Sequence, residues 1–223
     1  ILIANNQGLF TRYLNMESIF IECNDGYKLA AQFFNRVGEN KKPYPVLICS
    51  ATGLKKGFYK FFASWLSEQG YDVLTFDYRG IGESLYVPLK KSKVRYTDWG
   101  TQDIPSAMRY LLNRTESEKV ILLGHSVGGQ LLGIVPDIHK LVVKAVIISS
   151  STSYIWGLSP KAKALAFCMF NFAFPICAAV NGYCPTKMVG FGQNLPKYVG
   201  LEWAEFAKTK DYLKKAIGSS VFK

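Results

Sequence analysis

The feature that most constrains the fold is one serine among glycines, in the stretch Gly124-His125-Ser126-Val127-Gly128-Gly129. Residues 119–123 before it are typical of a short buried strand, and residues 130–135 after it form an apolar run of helical type. In so tight a strand-to-helix turn, side chains at positions 124 and 128 would collide with neighbouring backbone. Ser126 itself must adopt a strained conformation that exposes its hydroxyl. We call residues 124–129 the serine turn.

The rest of the pattern predicts an α/β fold, with a mostly parallel sheet and helices on both of its faces. Residues 16–23 and 28–35 alternate in polarity around Asn24-Asp25-Gly26, which predicts a β-hairpin. Further strands are predicted at residues 45–50, 72–76 and 144–149, and helices at residues 59–69 and 97–113. Pro105 must either kink the second helix or delay its start. A hairpin followed by alternating strands and helices is typical of a parallel sheet covered on both faces.

The character of the sequence changes at Tyr154. Residues 162–179 are almost continuously apolar, and their length approaches that of a membrane span. Asn171 and Pro175 interrupt the run, however, and lysines flank only one end, which favours a pair of cap helices over an apolar pocket. Short helices are predicted at residues 201–206 and 212–217. We therefore divide the chain into a core, residues 1–153, and a helical cap, residues 154–223.

Composition and short motifs argue against several other classes of protein. The net charge is +11, but the lysines are scattered in small pairs without a stripe or a nucleic-acid motif, so we expect no nucleic-acid partner. Weak attraction to anionic lipid surfaces stays open, although a membrane partner is not expected. The five cysteines have neither paired nor metal-type spacing, which predicts free thiols and no metal. Free thiols suit a reducing compartment, so we take the cytoplasm as the expected location. The start of the sequence does not resemble a signal peptide.

The sequence resembles the α/β-hydrolase superfamily over most of residues 45–213. The resemblance rests on the serine turn and on these motifs: Ala51-Thr52-Gly53, Asp77-Tyr78-Arg79-Gly80-Ile81-Gly82-Glu83-Ser84, Gly182-Tyr183-Cys184-Pro185, Leu195-Pro196 and Glu202-Trp203. The cap motifs are similar to those of a bacterial group known mainly as predicted α/β-hydrolases. More broadly, the chain is similar to monoacylglycerol lipases and serine aminopeptidase-like hydrolases. The resemblance implies a serine hydrolase that cleaves small carboxylic esters, with Ser126 as nucleophile, a hydrophobic acyl group and no cofactor or metal.

The resemblance also implies two backbone donors for the oxyanion that forms during attack. One is the N–H of Val127, directly after the nucleophile. The other comes from the loop after the strand at residues 45–50, where the superfamily commonly has His-Gly-x and this sequence has Ser50-Ala51-Thr52-Gly53. By position we favour the Thr52 N–H, with Leu54 as second choice.

A complete Ser-His-Asp triad is missing from the sequence. In the superfamily the acid and the histidine follow the serine, on loops after later strands. The two histidines do not fit: His125 lies inside the serine turn and is held in the wrong direction, and His139 comes too early. After residue 149 the carboxylates Glu202, Glu205 and Asp211 all fall in the predicted cap.

Two explanations of the missing triad stay open. In the first, the polypeptide continues past Lys223 with the acid and the histidine. We favour it because the strand at residues 144–149 would otherwise be a bare apolar sheet edge. In the second, the protein is shortened and either uses Ser126 without a normal base or is not catalytic, serving as a binding or membrane-associated protein.

Overall fold

A six-stranded sheet organises the chain in the computed structural model, which describes residues 15–152, 154–190 and 192–210. The strands are β1 (Met16–Glu22), β2 (Lys28–Phe34), β3 (Val46–Cys49), β4 (Val73–Phe76), β5 (Val120–His125) and β6 (Val142–Ile148). Their order across the sheet is β1-β2-β4-β3-β5-β6. β1, β2 and β4 pair antiparallel, whereas β4, β3, β5 and β6 run parallel. This mostly parallel sheet confirms the predicted fold class.

The helices occupy the connections between the parallel strands and the region after β6. The α-helices are α1 (Lys60–Glu68), α2 (Tyr96–Asp98), α3 (Ile104–Thr115), α4 (Val127–Gln130), α5 (Ile138–Leu141), α6 (Pro160–Cys168), α7 (Phe174–Val180) and α8 (Lys197–Lys208). Short 3₁₀ helices lie at Lys56–Tyr59, Gly82–Ser84, Leu89–Lys91, Leu131–Ile134, Ile155–Gly157 and Thr186–Val189. The division of the chain at residue 153 stays a prediction, and the helix predicted at residues 212–217 lies outside the described residues.

Two prolines are accommodated by π-helical turns rather than by helix breaks. A π-helical segment, Trp99–Asp103, joins α2 to α3 and ends two residues before Pro105. Another, Met169–Ala173, joins α6 to α7 and ends two residues before Pro175. A proline lacks an N–H and its ring crowds the preceding turn, so a wider turn at that point avoids the clash. The predicted pair of cap helices is therefore wrong: Pro160–Val180 is one continuous helix of 21 residues, which we call the cap helix.

The cap also contains a short sheet that the sequence pattern did not predict. β7 (Tyr183–Cys184) pairs antiparallel with β8 (Leu195–Pro196). Leu195 and Cys184 are buried, and α8 follows β8 directly. This pairing returns the chain from the cap helix towards the core.

Buried charged groups fix the turn that follows β4. The Asp103 carboxylate accepts hydrogen bonds from Arg79 Nε at 2.5 Å and from the Arg79 backbone N–H at 2.9 Å. Arg79 also binds Asp25, in the β1–β2 turn, at 2.6 Å. Burial raises the pKa of Asp103 to about 7, although Arg79 acts in the opposite direction. The cluster ties the hairpin, the turn after β4 and the start of α3 together.

Candidate active site

Ser126 stands at the junction of β5 and α4 in a strained backbone conformation. Its φ of 51° and ψ of −113° lie outside the regions that non-glycine residues normally occupy. The end of β6 holds this conformation from two sides. The Ser126 N–H donates to the Ile148 carbonyl at 2.9 Å, and the Ser150 hydroxyl donates to the Ser126 carbonyl at 2.7 Å. Such strain is characteristic of functional sites that the surrounding structure over-determines.

The glycines on either side of Ser126 lie where a side chain cannot fit. A Cβ atom on Gly124 would lie 2.7 Å from the Cα of Gly129. A Cβ atom on Gly128 would lie 2.3 Å from the carbonyl oxygen of Cys49, at the end of β3. Both obstacles are backbone atoms, which cannot move aside as a flexible side chain can. Glycine at positions 124 and 128 therefore lets the serine turn pack directly against itself and against β3.

Both residues predicted as oxyanion donors lie next to Ser126. Val127 is the first residue of α4, so its N–H has no partner inside the helix. The Thr52 N–H has no hydrogen-bond partner among the described residues, whereas the Leu54 N–H donates to the Ala51 carbonyl at 3.1 Å. This difference favours Thr52 over Leu54. The oxyanion role of Thr52 and Val127 stays a prediction.

The loop that carries Thr52, residues 51–56, is linked to the serine turn through a tyrosine. The Tyr59 hydroxyl accepts a hydrogen bond from the Ala51 N–H at 2.9 Å and lies 2.9 Å from Nδ1 of His125. Burial raises the pKa of Tyr59 to about 12, so the hydroxyl stays neutral. Tyr59 thus fixes the distance between the loop and the serine turn. The sequence pattern placed Tyr59 only at a helix start and gave no signal for this contact.

The same loop is held at two further points. The Gly53 carbonyl accepts a hydrogen bond from the Gln193 N–H at 2.9 Å, and the Gln193 side chain accepts one from the Gly82 N–H at 2.9 Å. The Lys56 N–H donates to Asp77 Oδ1 at 2.6 Å, and Lys56 Nζ lies 3.2 Å from Asp77 Oδ2. Loop 51–56 is therefore anchored to the cap and to the turn after β4, as well as to the serine turn.

Neither histidine of the sequence is placed as a base for Ser126. His125 Nδ1 is engaged with the Tyr59 hydroxyl, and its ring packs edge-on against Tyr59 at 6.0 Å. His139 is exposed in α5, which precedes the amino end of β6, whereas Ser126 follows the carboxyl end of the parallel strand β5. A strand of this length separates the two ends by roughly 20 Å. Within the described residues, Glu202 binds Arg95 and Thr97, and thus joins α8 to α2.

Two cavities meet at Ser126. The larger, of about 330 Å³, is mainly apolar and lies under the cap helix. Its lining includes Ser126, Gln130, Ser149, Leu158, Leu165, Met169, Phe170 and Trp203. The smaller, of about 220 Å³, is lined by loop 51–56 and includes Thr52, His125, Ser126, Ser149 and Trp203. Ser126, Ser149 and Trp203 line both cavities, so one molecule could place groups of different polarity on the two sides of the serine. The described residues contain no cluster of His, Cys, Asp and Glu that could hold a metal.

Comparison with known proteins identifies the fold family. Residues 44–167, more than half of the chain, match the family model described as "alpha/beta hydrolase fold". The chain belongs to the α/β-hydrolase fold family. The matched region of this α/β-hydrolase includes β3 to β6, the serine turn and the first part of the cap helix.

Relatives of this α/β-hydrolase include bacterial proteins. It is 30% identical over 91 residues to the protein "Uncharacterized protein YfhR" of Escherichia coli strain K12. That match covers 40% of this chain and only 30% of the length of YfhR. Among solved structures it is similar to a hypothetical protein, PA2218, from Pseudomonas aeruginosa, with a TM-score of 0.60 and 17% identity over 84% of this chain and 70% of that one. It is also similar to the esterase EaEST from Exiguobacterium antarcticum, with a TM-score of 0.55 and 17% identity over 89% and 77% of the two chains. At these identities the solved structures show the fold alone.

Proposed function

We propose that this chain carries the nucleophile of a carboxylic ester hydrolase and that Ser126 forms the acyl-enzyme. The observation that carries the proposal is the strained Ser126 at the meeting point of an apolar and a more polar cavity. A ligand site is usually a mainly apolar concavity with a few well-placed polar groups. The apolar cavity would take the acyl group, and the cavity beside Thr52 would take the ester oxygen and the alcohol.

The proposed reaction follows from the groups around Ser126. The Ser126 hydroxyl oxygen attacks the ester carbonyl carbon, and the bond from that carbon to the alcohol oxygen breaks. The proton of the hydroxyl passes to a base and then to the departing alcohol, and water hydrolyses the acyl-enzyme. The N–H groups of Val127 and Thr52 would stabilise the negative charge on the carbonyl oxygen. No described residue takes the role of base in this proposal, because His125 and His139 are placed elsewhere.

The proposal is tested by labelling the folded chain with a tagged fluorophosphonate, which reacts with activated serines. We expect labelling of the wild type that maps to Ser126 and is lost in Ser126→Ala. Ser151→Ala is the matched control, because Ser151 lines the same apolar cavity. It should label like the wild type. A folded wild type that does not label, or a Ser126→Ala variant that does, would overturn the assignment of the nucleophile.

Turnover is tested separately with nitrophenyl esters of increasing acyl length. We expect short and medium acyl esters to be hydrolysed and very long ones to be poor substrates, because the apolar cavity lies at the small end of the range for ligand sites. Release of one equivalent of nitrophenol without further turnover would be consistent with Ser126 as the nucleophile but would contradict hydrolase activity.

A second function, a non-catalytic binding protein with this fold, is favoured by one observation. Neither histidine reaches Ser126, and a serine hydroxyl is a weak nucleophile without a base. In that case the chain would bind a fluorescent fatty acid in the apolar cavity without reacting with the fluorophosphonate. The Ser126→Ala variant would then bind the fatty acid as tightly as the wild type.

A further inference from the structure

The outer side of the cap helix exposes large apolar side chains. Leu165, Phe172, Ile176 and Val180 are 71%, 56%, 58% and 79% exposed. We call these four residues the outer cap face. Monomeric soluble proteins seldom expose contiguous apolar patches of this kind, and those that occur usually mark an interaction site.

The inner side of the same helix is also apolar, but it is packed. Phe170, Phe174 and Ala178 are buried, and the Phe170 and Trp203 rings meet at 5.2 Å. An ordinary surface helix has a polar outer face, whereas a helix that is apolar all round normally has apolar surroundings on every side. Of the described residues, only those of the cap helix form a helix that is long and apolar enough to span a bilayer, with a mean hydropathy of 1.7. Because its inner side packs against α8, we expect it to lie on a membrane rather than to cross it.

The outer cap face is continuous with the apolar cavity. Leu158 and Leu165 line that cavity and are also exposed on the surface. A hydrocarbon chain that leaves an apolar phase at the outer cap face would therefore meet the entrance of the cavity without crossing water.

The charge around the cap indicates the partner. Residues 154–210 contain six lysines and two acidic residues, and the whole chain has a net charge of +11. Lys161 and Lys163 lie in the first turns of the cap helix, and the Lys163 ammonium lies 5.6 Å from the centre of the exposed Trp156 ring. Lysine and tryptophan beside an apolar face are typical of helices that bind at the interface of anionic membranes. A second copy of this chain would bring like charges together, which disfavours association.

We propose that the outer cap face binds the surface of an anionic lipid bilayer and that acyl chains enter the cavity past Leu158 and Leu165. The binding step does not depend on the proposed function, whereas delivery of an acyl substrate to Ser126 rests on it. The site thus takes short and medium acyl esters that partition into a membrane.

The experiment measures binding of the purified full chain to sedimented vesicles. One set of vesicles contains phosphatidylcholine alone, and the other an equimolar mixture of phosphatidylcholine and phosphatidylglycerol. We expect binding to the mixed vesicles, weakened by added salt. Phe172→Ser should reduce the partition coefficient about tenfold, because it removes an aromatic ring from the membrane interface. Phe20→Ser is the matched control, since Phe20 is 62% exposed on β1, and it should bind like the wild type.

Several outcomes would overturn the proposal. One is a wild type that fails to bind the mixed vesicles, or that binds both sets of vesicles equally. Another is a loss of vesicle binding to the same extent in Phe172→Ser and Phe20→Ser. A dimer in solution that Phe172→Ser dissociates, without vesicle binding, would assign the face to a second copy. Circular dichroism establishes that each variant is folded. Ser126→Ala should bind vesicles as the wild type does, so a failure of the proposed chemistry remains distinguishable from a failure of membrane binding.

Discussion

Two regions depart in opposite ways from the rule that apolar side chains are buried and charged ones exposed. The turns near Ser126 bury charged groups, and the outer cap face exposes apolar ones. In the turns after β3 and β4 and at the start of α3, four charged residues are buried: Lys56, Asp77, Arg79 and Asp103. On the cap helix, large apolar side chains are exposed. Each arrangement costs free energy on its own, since buried charges lose hydration and exposed apolar groups order water. The first arrangement fixes backbone positions inside the molecule, whereas the second would be relieved by the lipid surface proposed above.

The backbone contacts of the buried charges support this distinction. Asp103 accepts a hydrogen bond from the Arg79 N–H, and Asp77 accepts bonds from the N–H groups of Lys56 and Glu83. These carboxylates therefore hold the turn at Arg79 and two short 3₁₀ helices, rather than strands or α-helices. The apolar side chains of the outer cap face hold no backbone group in this way.

The largest effect is expected from breaking the buried ion pair. Asp103→Ala should lower the free energy of unfolding by about 3 to 5 kcal/mol, because it leaves the Arg79 guanidinium buried without its main partner. Glu17→Ala, which breaks the exposed pair with Arg114, should cost less than about 1 kcal/mol. Urea denaturation of both variants measures the difference. Similar losses of unfolding free energy in the two variants would show that the buried pair stabilises the protein no more than the exposed pair does.

The two sides of the cap helix should respond differently to truncation. Phe174→Ala should lower the free energy of unfolding by about 3 kcal/mol. This is the low end for a buried aromatic ring, because residues around the apolar cavity can relax into the space. Ile176 lies two residues after Phe174 but on the exposed side of the helix. Ile176→Ala should change the free energy of unfolding by less than about 0.5 kcal/mol. Thermal unfolding followed by circular dichroism tests the pair. A large loss in Ile176→Ala would show that the outer cap face is packed within the molecule.

A methyl group added at the serine turn should also destabilise the core. Gly128→Ala should cost about 3 kcal/mol, the high end for overpacking, because the new Cβ meets the Cys49 carbonyl at 2.3 Å. Gly133→Ala is the matched control, since a Cβ there has no atom within 4 Å, and it should be neutral or slightly stabilising. Equal stability of the two variants in urea denaturation would contradict the tight contact between α4 and β3.

Among the variants that break a buried contact, Tyr59→Phe is expected to have the smallest effect on stability. Tyr59→Phe should cost about 1 to 2 kcal/mol, since the Ala51 N–H loses its acceptor. Under the proposed function it should also slow fluorophosphonate labelling of Ser126 on the order of tenfold, because loop 51–56 is displaced. Tyr44→Phe serves as the control, as the Tyr44 hydroxyl makes no hydrogen bond among the described residues. Unchanged labelling in Tyr59→Phe would show that this anchor does not position the loop for the reaction.

Much of the fold could be predicted because its signals are local. The hairpin around Asn24-Asp25-Gly26 and the strands that became β3 to β6 follow from short runs of apolar residues between turn residues. The continuous cap helix could not be predicted, since Pro175 indicates a break and only a π-helical turn avoids it. The segment at Tyr183–Cys184 forms a strand because it pairs with Leu195–Pro196, a contact that sequence periodicity does not encode.

The sequence by itself determined the serine turn, because glycine spacing and a strand-to-helix change are properties of consecutive residues. It also led to Ser126 as the candidate nucleophile, and it showed that neither histidine follows the pattern of a triad. Only the tertiary structure decided how Tyr59 and Gln193 hold loop 51–56, since these hydrogen bonds join segments far apart in the chain. It alone also decided which side of an all-apolar helix is buried, because hydrophobicity drives burial without direction and only packing against Trp203 selects the inner face.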